Sequence, residues 1–307
     1  MQLLKPRALV VGSNGLLGTN LVSLLKDAYD VYGLDLFRAK DAECPGVEYF
    51  EGDLTDKKRI VEIVKSLQPN YIFNAAAYTN VDRSESEREV CWKVNAEGVS
   101  YLAYAAKLIH AKMIHVSTDY VFDGKNGPYR ETDRPNPLGY YAKSKLAGEN
   151  LLHSSGADFV IARTIVLYGY SPTAPDNFVT WAVKQLRNGQ AIRIVDDQFS
   201  NPTLADELAQ ALRVLAENDA SGVYHVSGRD VFDRYTFTQM LAKVFDLDAS
   251  LISPVKTSEF QQAAPRPLKS GFVTEKFESE FGKIMSSTEE GLLKFKAKYG
   301  NALLGGS

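Results

Sequence analysis

The stretch Ala8-Leu-Val-Val11-Gly12-Ser-Asn-Gly15-Leu-Leu-Gly18 decides the fold. Its first four residues are apolar and read as a short buried strand. Leu16 to Ala28 then carries helical spacing. Between them, Gly12 permits a tight turn and Gly15 lets the backbone approach a pyrophosphate at the helix N-terminus. Gly18 lets helix and strand pack closely. The spacing is Gly-x-x-Gly-x-x-Gly, one residue longer at its first interval than the usual dinucleotide fingerprint. Its place between a strand and a helix nevertheless predicts a dinucleotide site, with contacts from Gly12, Asn14, Gly15, Leu16, Leu17 and Gly18.

Outward from that loop, strands and helices alternate. Asp30–Leu34, Tyr71–Asn74, Lys112–Ser117 and Phe159–Arg163 read as strands. Lys57–Leu67, Val90–Ile109 and Tyr141–Leu152 read as helices. This alternation implies right-handed crossovers and an α/β fold with a doubly wound parallel sheet of Rossmann type. The pattern changes after Tyr168. Helices over Phe178–Leu186 and Leu204–Leu215, a late strand over Gly222–Ser227 and then proline-bearing loops predict a second, smaller α+β substrate lobe that interrupts the sheet domain. The expected division is 1–169 with 203–228 for the dinucleotide domain, and 170–202 with 229–307 for the lobe.

Asp35 ends the second strand, where a carboxylate can accept from both ribose hydroxyls of NAD and repel a 2′-phosphate. Arg38 stands close by and would instead pair with such a phosphate. NAD(H) is the expected cofactor and NADP(H) the alternative. Asp53 and Leu54 follow a further short strand. Asp53 is placed against the adenine edge, the competing reading being a helix N-cap at Thr55 or Asp56.

Tyr141 and Lys145 are four residues apart and share a helix face. A tyrosine is a poor acid near neutrality, and a neighbouring ammonium should lower its pKa. Tyr141 can then protonate a carbonyl oxygen as hydride reaches the carbon. Ser117 and Thr118 end the preceding strand at the carboxyl edge of the sheet, where ligands bind.

Composition bounds the alternatives. The chain has 307 residues, of which 45% are hydrophobic and 24% charged, enough to bury a core unaided. Thirty-five basic against 38 acidic residues give a net charge of −3, so no basic footprint for nucleic acid exists. No apolar run of about 18 residues suggests a membrane span. Cys44 and Cys91 are read as two thiols, and the four histidines show no ligand spacing, so no metal is expected. The polar start Met1–Arg7 is not a secretory signal, and the chain is expected to be cytoplasmic. The charged run Asp82–Glu89 reads as a solvated loop, although Asp82 itself can face the site. Trp92 and Trp181 read as packing or interface residues rather than sugar platforms.

Taken together, these segments resemble an extended short-chain dehydrogenase/reductase and, within it, the dTDP-4-dehydrorhamnose reductase family. The resemblance is carried by Gly12–Gly18, Asn74–Asp82, Val116–Gly124, Tyr129–Asp133, Asn136–Leu138, Tyr141–Glu149, Arg163-Thr164, Asp197–Thr203 and, more faintly, Arg266-Pro267. It implies that Thr118 polarises a carbonyl, Tyr141 donates the proton, and Lys145 also holds the nicotinamide ribose. Ala75, Ala76 and Ala77 would lie along the cofactor, and Thr79, Asp119, Tyr120 and Arg266 would face the sugar. The implied reaction reduces the 4-keto group of a nucleotide-linked 6-deoxysugar, most closely dTDP-4-dehydrorhamnose to dTDP-rhamnose. Tyr120 stands where related dehydratases carry a glutamate, which disfavours elimination. Val166 replaces the family's usual tryptophan, and Lys269 replaces an amide. A homodimer is an expected assembly. Two other classes remain open: a non-catalytic dinucleotide-binding regulatory subunit, like the beta subunit of methionine adenosyltransferase, and a nucleotide-sugar epimerase.

Overall fold

The computed structural model of the protein describes residues 5–39 and 43–304. Seven parallel strands form the central sheet: β1 (Arg7–Val11), β2 (Asp30–Asp35), β3 (Glu48–Glu51), β4 (Tyr71–Asn74), β5 (Lys112–Thr118), β6 (Asp158–Thr164) and β11 (Gly222–His225). Their order is β11-β6-β5-β4-β1-β2-β3. The winding reverses at β1, which pairs with β2 on one side and β4 on the other. A crevice therefore opens beyond the carboxyl ends of these strands, the position at which doubly wound sheets bind ligands.

Both faces of the sheet are covered, which is why β1 is apolar from Ala8 to Val11 rather than alternating. Ala8 and Val10 face α1 (Leu16–Leu25) and α7 (Ala205–Glu217), packing with Leu17, Leu21, Leu208 and Leu212. Leu9 and Val11 face the opposite layer, with Ile60, Ile63 and Val64 of α2 (Lys57–Leu67) and Leu102 of α4 (Gly98–Ile109). Each fully buried Val, Leu or Ile among them stabilises the fold by about 1.5–3 kcal/mol.

The long helix expected over 90–109 is interrupted. It begins as α3 (Arg88–Trp92), passes through one π turn (Lys93–Glu97) and resumes as α4. The extra residue per turn leaves Asn95 buried inside the bend. Its carboxamide accepts from the Tyr78 N–H at 2.9 Å and donates to the Tyr78 carbonyl at 3.0 Å. A π bulge of this kind is a frequent device near functional sites.

Most of the chain past 168 builds the second lobe, while α7 and β11 return to the large sheet. The lobe contains α6 (Phe178–Arg187), α8 (Arg234–Val244), α10 (Thr288–Leu304) and three two-stranded ribbons. The ribbons are β7 (Leu167–Tyr168) with β10 (Thr203–Leu204), β9 (Phe199–Ser200) with β12 (Phe232–Asp233), and β8 (Ile192–Val195) with β13 (Ile252–Val255). Val183, Leu241 and Phe295 are fully buried in its core. One segment of the tail crosses back. Phe277 of α9 (Glu275–Phe281) and Met285 join the core of the large sheet, and the Tyr224 hydroxyl donates to Glu280 at 2.6 Å. Among the described residues no helix is long and apolar enough to cross a membrane.

Candidate active site

The glycine loop closes the end of β1 as its spacing predicts. Gly12 has φ +81°, and a Cβ there would lie 2.7 Å from the Ala76 nitrogen. A Cβ on Gly18 would lie 2.0 Å from the Gly12 carbonyl oxygen. At Gly15, among the described residues beyond its chain neighbours, such a Cβ would meet the Gly12 oxygen at 3.3 Å and nothing else within 4 Å, so the space above this residue is open. Gly15 caps α1 without a side-chain hydrogen bond. The first-turn N–H groups of Leu16, Leu17 and Gly18 therefore keep the free donors and positive dipole end that suit a pyrophosphate.

Around this cradle, Asp35 Oδ2 accepts from the Asn14 N–H at 2.8 Å and Oδ1 from the Leu36 N–H at 2.8 Å. Asn14 Nδ2 donates to the Phe37 carbonyl at 2.6 Å. Ala75, Ala76 and Ala77 leave β4 directly beside Gly12, and Ala75 N–H donates to the Val11 carbonyl. These residues fit a dinucleotide: an open anion cradle at one end and an accessible carboxylate at the end of β2. Asp53 and Leu54 stand differently. Asp53 Oδ1 accepts locally from the Thr55 N–H at 2.8 Å, and Asp56 is the N-cap of α2, accepting from the Arg59 N–H at 3.0 Å. Leu54 buries its side chain against Gly98 and so offers a ligand only its main chain.

The second half of the site is the start of α5 (Tyr140–Ser155) against the end of β5. The helix has no side-chain cap of its own at Gly139. Its first donors are met from the turn at Arg83–Glu85: Tyr140 N–H donates to Glu85 Oε1 at 2.7 Å and Tyr141 N–H to Ser84 Oγ at 3.1 Å. The charged run around residue 85 is thus a clamp on the catalytic helix and not a merely solvated loop.

Thr118, Tyr141 and Lys145 converge, and all three are buried. Tyr141 is hydrogen-bonded to Thr118, and burial pushes its pKa up from the ordinary tyrosine value. The lysine does not lower it, contrary to the expectation from spacing alone. Lys145 Nζ donates instead to the Val116 carbonyl at 2.8 Å, and burial draws its pKa down to about 8. The phenol is consequently held neutral and keeps its proton.

Asp119 is buried behind Thr118. Its Oδ1 accepts from the Thr118 hydroxyl at 3.1 Å and its Oδ2 from Ser270 of the second lobe at 2.7 Å. Burial raises its pKa to about 7, against the pull of those hydrogen bonds. Tyr120 sets its ring edge-to-face on Tyr141, with centroids 5.8 Å apart and planes at 82°. Thr79 is exposed on the loop after β4 and does not line the cavity described next.

Beyond Tyr120 lies a cavity of about 340 Å³ between the lobes. Arg193, Arg234 and Arg266 line it, with Phe178, Trp181 and Phe260 as apolar walls. Arg266 donates to Asp82 Oδ2 at 2.7 Å, and Asp82 Oδ1 accepts from the Ala264 N–H at 3.0 Å, which joins the two lobes. Arg193 pairs with Glu259 at 3.1 Å. Arg234 makes no ion pair among the described residues and lies over the Phe178 ring, 4.7 Å from its centroid. Sequence reading passed over Arg193 and Arg234, and it took Trp181 for a packing or interface residue. No local motif marks them, since they come from three separate lobe elements. Among the described residues no group of three or more His, Cys, Asp or Glu is placed to hold a metal.

The family model described as RmlD substrate binding domain matches residues 6–300. The chain belongs to the dTDP-4-dehydrorhamnose reductase family of NAD(P)-dependent oxidoreductases. A dTDP-4-dehydrorhamnose reductase of Aggregatibacter actinomycetemcomitans is 34% identical over 305 residues, covering 95% of this chain and 98% of that one. A probable low-salt glycan biosynthesis reductase of Haloferax volcanii is 31% identical, covering 95% and 98%. The crystal structure of the Bacillus anthracis dTDP-4-dehydrorhamnose reductase in complex with NADP superposes with a TM-score of 0.87 at 31% identity, covering 96% of this chain and 100% of that one.

Proposed function

We propose that this chain reduces the 4-keto group of a nucleotide-linked 6-deoxysugar, with dTDP-4-dehydrorhamnose as the substrate and dTDP-rhamnose as the product. The observation that carries the reading is the continuity of the site. The Thr118–Tyr141 pair meets the arginine-lined cavity at the Tyr120 ring, so a diphosphate in the cavity can place its sugar at the phenol.

The residues divide the work. Arg193, Arg234 and Arg266 bind the diphosphate, for which guanidinium groups are suited. The apolar rings at Phe178, Trp181 and Phe260 cover the base. Asp119 and Tyr120 bound the sugar. Thr118 turns its hydroxyl from Asp119 to donate a hydrogen bond to the keto oxygen, and Tyr141, kept neutral by burial, gives that oxygen its proton. Lys145 holds the nicotinamide ribose. When bound, the reduced nicotinamide supplies the hydride. A glutamate for elimination is absent where Tyr120 stands, which supports simple reduction over dehydration.

NADH is the preferred cofactor in this reading, with NADPH accepted less well. Asp35 points its carboxylate at the loop where a 2′-phosphate would sit. The cation that would receive the phosphate is engaged elsewhere, since Arg38 Nε donates to Glu43 at 2.8 Å. The Bacillus anthracis relative was crystallised with NADP, so both forms belong in the assay. The test follows the absorbance of NADH and of NADPH with dTDP-4-dehydrorhamnose formed in situ. The wild type is expected to oxidise NADH faster and Tyr141→Phe to oxidise neither. Cofactor binding with no turnover of this substrate would overturn the assignment.

A further inference from the structure

Tyr141, Lys145 and Glu149 recur every four residues and share one face of α5. That face is laid on three consecutive residues of β5. Tyr141 meets Thr118, Lys145 Nζ donates to the Val116 carbonyl at 2.8 Å, and Glu149 Oε1 accepts from Ser117 Oγ at 2.5 Å. Ser117 is thereby withdrawn from the substrate side. On β6, in register with Ser117, Arg163 grips the same carboxylate with two donors: Nε to Oε1 at 3.0 Å and Nη2 to Oε2 at 2.6 Å. The guanidinium itself rests over the Phe122 ring at 5.2 Å. Glu149 is 1% exposed, Lys145 2% and Arg163 4%.

A buried carboxylate and arginine could serve simply to staple a helix to a sheet. Their surroundings give the pair a further role. Lys145 is a buried cation with no ion pair within 4 Å among the described residues. Around it stand the neutral Tyr141 on its own helix, the Cys91 thiol on α3 and the buried, uncharged His115 on β5. Glu85 clamps the helix start, and Asp119 lies behind Thr118. Of these groups Glu149 is the carboxylate on the lysine's own face, and its field acts on Lys145 in the direction that favours the ammonium.

We propose that Glu149 is a positioning residue for Lys145: through Ser117 and Arg163 it fixes how α5 lies on β5, and its negative charge keeps the buried lysine an ammonium. What Lys145 then does for the cofactor rests on the ketoreductase reading, but the placement and charge state of the lysine do not.

The test is a titration of the whole chain with lysine ¹³Cε labels, read by NMR. The Lys145 signal is assigned by its loss in Lys145→Met. Neither cofactor nor substrate is needed, so failure of the wild type to turn over a keto-sugar would sink the functional reading and leave this one intact. The wild-type midpoint is expected near 8. Glu149→Gln should lower it by about 1 pH unit or more, because the anion is lost and Arg163 stays behind. Glu149→Gln/Arg163→Gln should lower it less. Glu149→Asp should restore it, and Ser117→Ala should leave it in place. In the enzyme assay, the alkaline limb of kcat/KM should move with the same midpoint. If the single variant does not fold, as judged by circular dichroism, the double variant decides. A wild-type midpoint in folded Glu149→Gln, or in the folded double variant, would overturn the proposal and leave the pair a structural staple.

Discussion

The two ends of the site balance their charges in opposite ways. Along the face of α5 that meets β5 the ionisable groups are buried and matched: Glu149 with Arg163, Lys145 with a carbonyl, Tyr141 with Thr118. In the cavity of the second lobe the cations outnumber the acids that hold them. Arg266 has Asp82, Arg193 has Glu259 with both half-exposed, and Arg234 has an aromatic face. A matched, dry region is preorganised for one reaction and needs little rearrangement to perform it. A region with surplus positive charge is completed by an anion that arrives. The first should govern kcat and the second KM, which gives the comparison its tests.

The largest effect belongs to the chemical end. Tyr141→Phe removes the neutral phenol hydrogen-bonded to Thr118 and should cost about 10²–10⁴-fold in kcat. NADH binding, followed by fluorescence, should change little. A variant that retains a tenth of wild-type kcat would mean that the proton comes from elsewhere.

Next comes the cavity. Arg234→Met keeps the apolar stem over Phe178 and deletes the charge. It should raise KM for the sugar nucleotide about 10–100-fold while kcat falls less, as measured by steady-state kinetics. An equal loss in kcat with KM unchanged would move Arg234 from binding to transition-state stabilisation and erase the contrast between the two ends.

A smaller effect is expected at the adenosine end. Asp35→Asn removes the charge that opposes a 2′-phosphate while keeping a hydrogen-bonding side chain beside Asn14. The ratio of kcat/KM for NADH over NADPH should fall by about tenfold. An unchanged ratio would show that Asp35 serves the loop alone.

The smallest is a stability effect at the seam between the lobes. Burial raises the Asp119 pKa to about 7, well above that of an unfolded aspartate. The native state therefore binds this proton more tightly than the unfolded state does. Its contribution is complete below about pH 4 and is lost as pH climbs through 7. Other groups held constant, Asp119→Asn should flatten the fall of the thermal midpoint between pH 5 and 7 by a few degrees, measured by calorimetry. A slope identical to wild type would mean that Asp119 is charged in the folded protein throughout that range.

The difference between the two ends also explains what the sequence shows on inspection. The glycine loop is local: a strand, a turn and a helix start within eleven residues fix its geometry, so Gly12, Gly15 and Gly18 can be read directly. Tyr141 and Lys145 share one helix, and their spacing alone places them together. Spacing misjudged the electrostatics, because the ammonium turns to the Val116 carbonyl instead of the phenol. The π turn at Lys93–Glu97 was hidden for a similar reason, since apolar periodicity does not register one extra residue stabilised by Asn95 reaching Tyr78. The cavity was the least legible part. Arg193, Arg234 and Arg266 come from β8, α8 and a loop, and only the packing of the lobes brings them to one wall. Asp53 shows how a local contact can share such a residue: a carboxylate after a strand looks like a ligand group, and its Oδ1 also accepts from the Thr55 N–H.

One measurement addresses the central claim most directly. The protein is incubated with dTDP-4-dehydrorhamnose and NADH carrying two deuterium atoms at C4 of the nicotinamide, and the sugar nucleotide is analysed by mass spectrometry. The account predicts a product carrying one deuterium on the sugar, formed by wild type and absent with Tyr141→Phe. A sugar nucleotide of unchanged mass, isomerised or untouched, in the presence of bound cofactor would contradict it.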